Sequence, residues 1–188
     1  MFSKHRFGGF VVLLMIVVAT IIFTKSNEKG IGYVFNNLTK FETSTIPFDE
    51  NITFQLTSEQ ILQGIDKPIK IATIYNTEVD ITEIFERKNG LTNKTEILLT
   101  IRFHHHFQAP EGKMLSLIRL NENHTFTTGL VHAKVHNDKQ EPISFGTGAD
   151  YDNSYHQYTL YFEQDELDNS KELFFEIEGL HLLTYKEK

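Results

Sequence analysis

Three consecutive histidines, in the stretch Arg102-Phe103-His104-His105-His106-Phe107, are the residues of this chain best suited to bind a metal or exchange a proton. The apolar residues around them alternate as in a β-strand, whose side chains point to opposite faces in turn. His105 is therefore predicted to face the core beside Phe103, and His104 and His106 to face outward. The run is predicted to hold an outward pair of histidines and one buried histidine.

A second outward pair of histidines lies in the stretch Val131–His136. Val131, Ala133 and Val135 form the predicted core face, so His132 and His136 lie on the outer face. If the two strands are neighbours, His104, His106, His132 and His136 would share one surface and could bind zinc, which prefers imidazole ligands in a tetrahedral arrangement. The alternative is that all four are ordinary solvent-facing residues, because cationic side chains share both faces and would repel a metal ion. These are Arg102 and Lys134.

Motifs of the common enzyme classes are missing from the sequence. There is no Gly-x-Ser-x-Gly, no His-Glu-x-x-His and no phosphate-binding loop, and the absence of cysteine excludes thiol catalysis. We therefore predict a protein without enzymatic activity and without a resident cofactor other than the zinc considered above.

The elements that position the histidines are predicted to be short antiparallel strands, because threonine, isoleucine and aromatic residues are abundant. Turn residues separate the alternating runs, and residues 58–64 (SEQILQG) form a predicted short helix. This spacing is typical of an immunoglobulin-like antiparallel β-sandwich, with a barrel as the alternative. The predicted strands are Ile52–Leu56, Ile69–Tyr75, Val79–Phe85, Thr95–Phe107, Met114–Leu120, Thr125–His136, His156–Phe162 and Leu173–Leu183.

The N-terminal region is predicted to anchor the chain in a membrane. Residues 7–23 form a run of 17 uncharged residues, about 25 Å long as a helix, which is the short end of what a bilayer core requires. Lys4 and Arg6 precede it and place the N-terminus in the cytoplasm. The predicted organisation is a cytoplasmic N-terminus (1–6), a transmembrane anchor (7–24), a stalk (25–37) and an extracytoplasmic β-sandwich (38–188). Cleavage as a signal peptide is the alternative, although no Ala-x-Ala site follows the run.

The predicted outer domain is acidic. Lys4, Arg6 and Lys25 carry the only charges of the first 25 residues, so removing these three positive charges takes the formal net charge from −7 to −10. An acidic domain binds nucleic acid poorly. An exported domain without cysteine is typical of a Gram-positive bacterium, since small secreted animal domains usually carry disulfides.

The C-terminal segment 156–183 (HQYTLYFEQDELDNSKELFFEIEGLHLL) places a Leu-Asp loop between two strands, the second ending in FEIEGL. It resembles the closing strands of extracytoplasmic β-sandwich domains in small Bacillus-type membrane-anchored proteins, including the outer domains of anti-sigma-factor-like proteins. The resemblance implies a binding or sensing module. The short segment before the apolar run leaves no room for a sigma-binding domain.

The sequence therefore predicts a single-pass membrane protein whose outer domain binds an unknown protein partner at the cell surface. Two other functions stay open at this point. One is a zinc-type metal-binding domain that uses the four outward histidines, and the other is an immunity or envelope-stress protein.

Overall fold

The computed structural model describes residues 29–167 and 170–188, which form antiparallel strands and a few short helices. The mainly β fold class predicted from the sequence is confirmed. The strands are β1 (Phe41–Pro47), β2 (Ile52–Thr57), β3 (Ile69–Ile74), β4 (Thr77–Lys88), β5 (Thr95–His105), β6 (Glu111–Ser116), β7 (Arg119–Leu120), β8 (Phe126–Thr127), β9 (His132–Asn137), β10 (Gly146–Tyr151), β11 (Tyr155–Glu163), β12 (Glu172–Glu178) and β13 (His181–Glu187). The helices are α1 (Ile31–Phe35), α2 (Ser58–Gln63) and α3 (Gln164–Leu167).

The largest sheet has five strands in the order β10-β11-β5-β4-β3. Its central strand β5 pairs along its whole length with β4 and over nine residues with β11. Every β5 residue from Ile97 to Ile101 is buried, and from Ile101 to His105 buried and partly exposed residues alternate, as expected where one face lies against a core. The strand that carries the histidine run therefore has a hydrogen-bonded neighbour on each side.

Two three-stranded antiparallel sheets accompany it, in the orders β2-β12-β9 and β1-β13-β6, and β7 and β8 form a separate pair. One hydrophobic cluster contains buried side chains of the five-stranded sheet and of the β2-β12-β9 sheet together. Phe162 of β11 and Phe175 of β12 meet edge to face with ring centroids 6.2 Å apart. Burying such a side chain contributes about 1.5–3 kcal/mol, so contacts between these two sheets stabilise the fold.

A smaller hydrophobic cluster holds the N-terminal part of the described chain against the β1-β13-β6 sheet. Ile31 and Val34 of α1 are fully buried in it. Tyr33 packs edge to face on Phe107, with ring centroids 5.0 Å apart. The part of the predicted stalk that the structure describes, residues 29–37, thus contacts the β-rich domain.

Several predicted strands differ from the structure in number or length. β1 and β10 have no counterpart among the predicted strands, and the segment Leu173–Leu183 forms two strands, β12 and β13. Gly179 separates them with φ +78°, a backbone conformation that favours glycine, and an added Cβ would lie 2.1 Å from the Leu130 carbonyl oxygen. Predicted strands Met114–Leu120 and Thr125–His136 are likewise each divided in two.

The short helix predicted at residues 58–64 is confirmed as α2. Thr57 and Gln60 form a capping box at its start, and Gly64 ends it. Among residues 29–167 and 170–188, no helix has the length and apolar character needed to cross a membrane. The predicted anchor at 7–24 lies outside the described residues.

Candidate functional site

The histidine run lies at the end of β5. His105 is 1% exposed, while His106 faces solvent just after the strand and His104 is partly exposed. The predicted orientations are confirmed, because β5 keeps its alternation up to its last residue. One strand end therefore presents histidine to two different environments.

The outward histidines form a close pair. The rings of His104 and His106 lie 4.7 Å apart between centroids, edge to face. Glu78 of the neighbouring strand β4 approaches His106, with Oε2 3.5 Å from Nε2. The same carboxylate binds Lys70 of β3 at 2.7 Å. Positive charge at this surface is thus partly balanced by Glu78, whose pKa is lowered by the hydrogen bond from Lys70.

The second outward pair lies elsewhere. His132 and His136 are on β9, which pairs with β12, whereas β5 pairs with β4 and β11. His136 stacks on Phe174 with ring centroids 5.6 Å apart. The predicted adjacency of the two strands is therefore not present, because they belong to different sheets.

Within the described ranges, no group of three or more His, Asp or Glu side chains has an arrangement that could hold a metal ion. The structure brings His104 and His106 together without His132 and His136. Zinc binding stays a prediction from the sequence. Of the four predicted ligands, the structure brings only His104 and His106 close to each other.

A buried histidine pair lies on the other face of β5. His105 and His156 of β11 are 1% and 2% exposed, and their rings meet edge to face with centroids 4.9 Å apart. Nε2 of His105 lies 2.7 Å from the Leu115 carbonyl oxygen, to which it donates. The Leu117 N–H donates to Nδ1 of His156 at 3.2 Å, which places the proton of a neutral His156 on Nε2. Both rings thus bind backbone at the end of β6, His105 within the strand and His156 just after it.

Burial keeps both imidazoles neutral. Loss of hydration lowers the pKa of His105 to about 3, although the hydrogen bond to Leu115 opposes this shift. Burial also lowers the pKa of His156 well below its usual value, and the neighbouring His105 adds to this effect. A proton on either ring would be a buried charge beside another titratable group.

His156 is not among the site residues predicted from the sequence. The sequence does contain a pattern that indicates its burial. His156 alternates in phase with Tyr158, Leu160 and Phe162, which all lie on the buried face of β11. That alternation indicates a buried histidine, but it does not indicate which residue lies beside it.

An open groove of about 370 Å³ lies next to His156. Its walls come from α1, from the segment after β6, from β8 and from the turn between β10 and β11. Gly32 and Gly30 of the α1 region press against the backbone of Asn153 and Ser154 in that turn, where an added Cβ would lie 2.6 Å from a backbone atom. The lining residues are Gly32, Phe35, Asn36, Ile118, Phe126, Tyr151, Asp152, Asn153 and His156.

The two edges of the five-stranded sheet are β3 and β10, and they differ in chemistry. β3 carries Lys70, and its register with β4 shifts between Lys70 and Ala72 as at a β-bulge. β10 (GTGADY) has no lysine, no proline and an unbroken register with β11, and five of its six residues are exposed. Lysines and bulges are devices that discourage pairing at a sheet edge.

Comparisons of the chain with protein-family models, with curated proteins and with solved structures find no match.

Proposed function

We propose that this protein is a membrane-anchored, extracytoplasmic binding protein that acts through protein–protein contacts at the cell surface. The uncharged run at residues 7–23 and the lysine and arginine before it support the anchor and its orientation. We further infer that the sheets form an immunoglobulin-like sandwich, which the hydrophobic cluster shared by the five-stranded and β2-β12-β9 sheets supports.

The observation that carries the proposal is the edge strand β10, which has no lysine and no bulge and whose one charged side chain is Asp150. Its exposed backbone can pair with an extended segment of a partner, and main-chain hydrogen bonds then supply affinity. The two glycines of β10 carry no side chain, and the Tyr161 side chain of β11 lies against both of them. A partner strand would therefore meet no β10 side chain at these two positions.

The contrast with β3 strengthens this interpretation. Exposed flat edges promote aggregation, and proteins usually protect them. One edge of this sheet is protected by Lys70 and by a register shift, whereas the other has neither. One edge of the sheet can therefore accept a partner strand, while the opposite edge discourages pairing.

Site-specific photo-crosslinking in the native membrane tests the proposal. A photoreactive residue at Asp150 of β10 is compared with one at Thr73, an exposed position of β3. We expect one discrete adduct with another protein from position 150 and none from position 73. In the variant Ala149→Lys that adduct falls at least about tenfold, since a charge at an edge strand blocks pairing.

Two results would contradict the proposal. One is the absence of a discrete adduct from position 150, or an adduct of equal yield from position 73. The other is an adduct made only of two copies of this chain, which would indicate self-association. The variant Thr73→Lys is the matched control, because it adds the same charge to the other edge.

A further inference from the structure

The groove beside His156 is lined by two aromatic pairs. Phe35 of α1 and Phe126 of β8 meet edge to face with ring centroids 5.0 Å apart. Tyr151 meets His156 edge to face at 5.1 Å. Phe126 and Tyr151 are 45% and 39% exposed, so both rings present apolar surface to a molecule in the groove.

Amide and carboxylate groups line the same groove. The Asn36 amide nitrogen donates to the side-chain oxygen of Asn153 at 3.1 Å, and each amide has a further polar atom that this bond does not use. Asp152 receives a hydrogen bond on one carboxylate oxygen from the Asn153 N–H. The lining therefore combines hydrogen-bond donors and acceptors with aromatic rings.

This composition excludes several ligand classes. Among the residues that the structure describes, no lysine or arginine lines the groove, and Asp152 would repel an anion, so phosphate and nucleic acid do not fit. A purely apolar ligand would desolvate Asn36, Asp152 and Asn153 without compensation. A single carboxylate is too little for a hard cation, which takes six or more oxygen ligands.

A neutral sugar matches every part of the lining. The C–H face of a pyranose ring is apolar and packs on an aromatic ring, while its hydroxyls both donate and accept hydrogen bonds. Ligand sites usually combine mostly apolar walls with a few polar groups that fix orientation. His156 also lines the groove, and as a neutral ring it carries its proton on Nε2.

We propose that this groove binds a neutral oligosaccharide, with a sugar ring held between Phe126 and Tyr151 and its hydroxyls bound by Asn36, Asp152 and Asn153. This function is separate from strand addition at β10, although Tyr151 is the last residue of that strand. A surface protein with both features would hold a glycan and a protein partner at neighbouring sites.

Ligand-observed NMR and calorimetry on the purified full chain test the assignment. The detergent must have no sugar headgroup, because such a headgroup would compete for the groove. The probes are cellotetraose, maltotetraose and the tetramer of N-acetylglucosamine, with polygalacturonate as an anionic comparison. We expect at least one neutral probe to bind and the anionic probe not to bind.

The variants Phe126→Ala and Tyr151→Ala are each expected to weaken binding at least about tenfold. The matched control is Phe85→Ala, which removes a ring that is 44% exposed on β4, outside the groove. Circular dichroism of each variant verifies that it is folded, and Asp152→Asn provides a second test without loss of a ring. Asp152→Asn is expected to weaken binding severalfold.

Three outcomes would overturn the assignment. The first is that no neutral probe binds at 10 mM, about the weakest affinity that such titrations detect. The second is that Phe85→Ala weakens sugar binding as much as Phe126→Ala and Tyr151→Ala do. The third is that the chain binds a proline-rich decapeptide instead of the sugars. The last result would make the groove a peptide site, since proline-rich segments also bind aromatic-lined grooves.

Discussion

Two histidine pairs flank the same strand end, and they differ in burial far more than in geometry. The ring centroids are 4.7 Å apart in the surface pair His104–His106 and 4.9 Å apart in the buried pair His105–His156, and both pairs meet edge to face. The surface pair lies beside Glu78 and solvent. The buried pair lies beside the backbone of Leu115 and Leu117.

Hydration, more than ring contact, determines whether these histidines can carry a charge. A charged imidazole at the surface keeps its water and gains a carboxylate neighbour, whereas a charged imidazole in the core loses its water without a counter-ion. Residues adjacent in the chain can therefore have opposite roles, because β5 directs them to opposite faces.

Acid should destabilise the protein through the buried pair. The unfolded chain takes up protons on His105 and His156 below about pH 6.5, whereas folded His105 does so only near its pKa of about 3. The contribution of these neutral histidines to the free energy of unfolding is therefore fully present above about pH 6.5 and is lost as the pH falls toward the folded pKa. The loss is about 1.4 kcal/mol per pH unit for each buried histidine, or about 4 kcal/mol for His105 by pH 3.5.

Denaturant unfolding followed by circular dichroism between pH 4 and 7 measures this slope. The variant His105→Gln should reduce it by about 1.4 kcal/mol per pH unit, because glutamine can still donate to the Leu115 carbonyl but does not titrate. The paired control is His106→Gln, which makes the same substitution at the adjacent solvent-facing histidine. Equal slopes for all three proteins would show that the buried pair does not titrate as proposed.

Removing a buried ring should cost more than removing a surface ring. His156→Ala leaves a cavity and deprives the Leu117 N–H of its acceptor, so we expect the free energy of unfolding to fall by about 2–4 kcal/mol at pH 7.5. His156→Asn should recover part of this loss, because its amide oxygen can accept from Leu117. His104→Ala should change stability by less than about 0.5 kcal/mol.

Thermal or denaturant unfolding of the three variants gives the comparison directly. If His104→Ala were as destabilising as His156→Ala, the distinction between the two pairs would be wrong.

Metal binding should involve only the surface pair. Two imidazoles hold a metal ion less tightly than the three or four protein ligands of known zinc sites, so we expect weak binding when zinc is added to the full chain. Titration calorimetry without a histidine tag should show at least about tenfold weaker binding for His104→Ala or His106→Ala. His132→Ala serves as the control and should bind as the wild type does.

Elemental analysis of the purified chain complements the titration. One equivalent of zinc that co-purifies and is lost in His132→Ala would indicate that all four outward histidines cooperate. That result would require β5 and β9 to come together in a way that their separate sheets do not provide.

Local alternation was sufficient to predict the directions of many side chains. His105 in the core, His104 and His106 outside and Val135 buried all follow from period two within one strand. The helix α2 was also predictable, because Thr57, Gln60 and Gly64 are local start and stop signals. These features depend on residues close together in the chain.

β10 could not be predicted in the same way. Its residues GTGADY include two glycines and no alternation of apolar side chains, so nothing local favours a strand. It becomes a strand because β11 offers a complete row of backbone partners from Tyr161 to His156. The strand that carries the proposed protein contact is thus a product of pairing.

The amino-acid sequence is enough to establish a mainly β chain and to assign each histidine of the run to a strand face, since alternation depends on one strand alone. Which histidines meet depends on sheet order and register. His156 lies beside His105 because β11 pairs with β5, and His132 and His136 lie apart because β9 pairs with β12. Such pairings join distant segments through backbone groups that every residue shares, so side-chain patterns along the chain do not specify them.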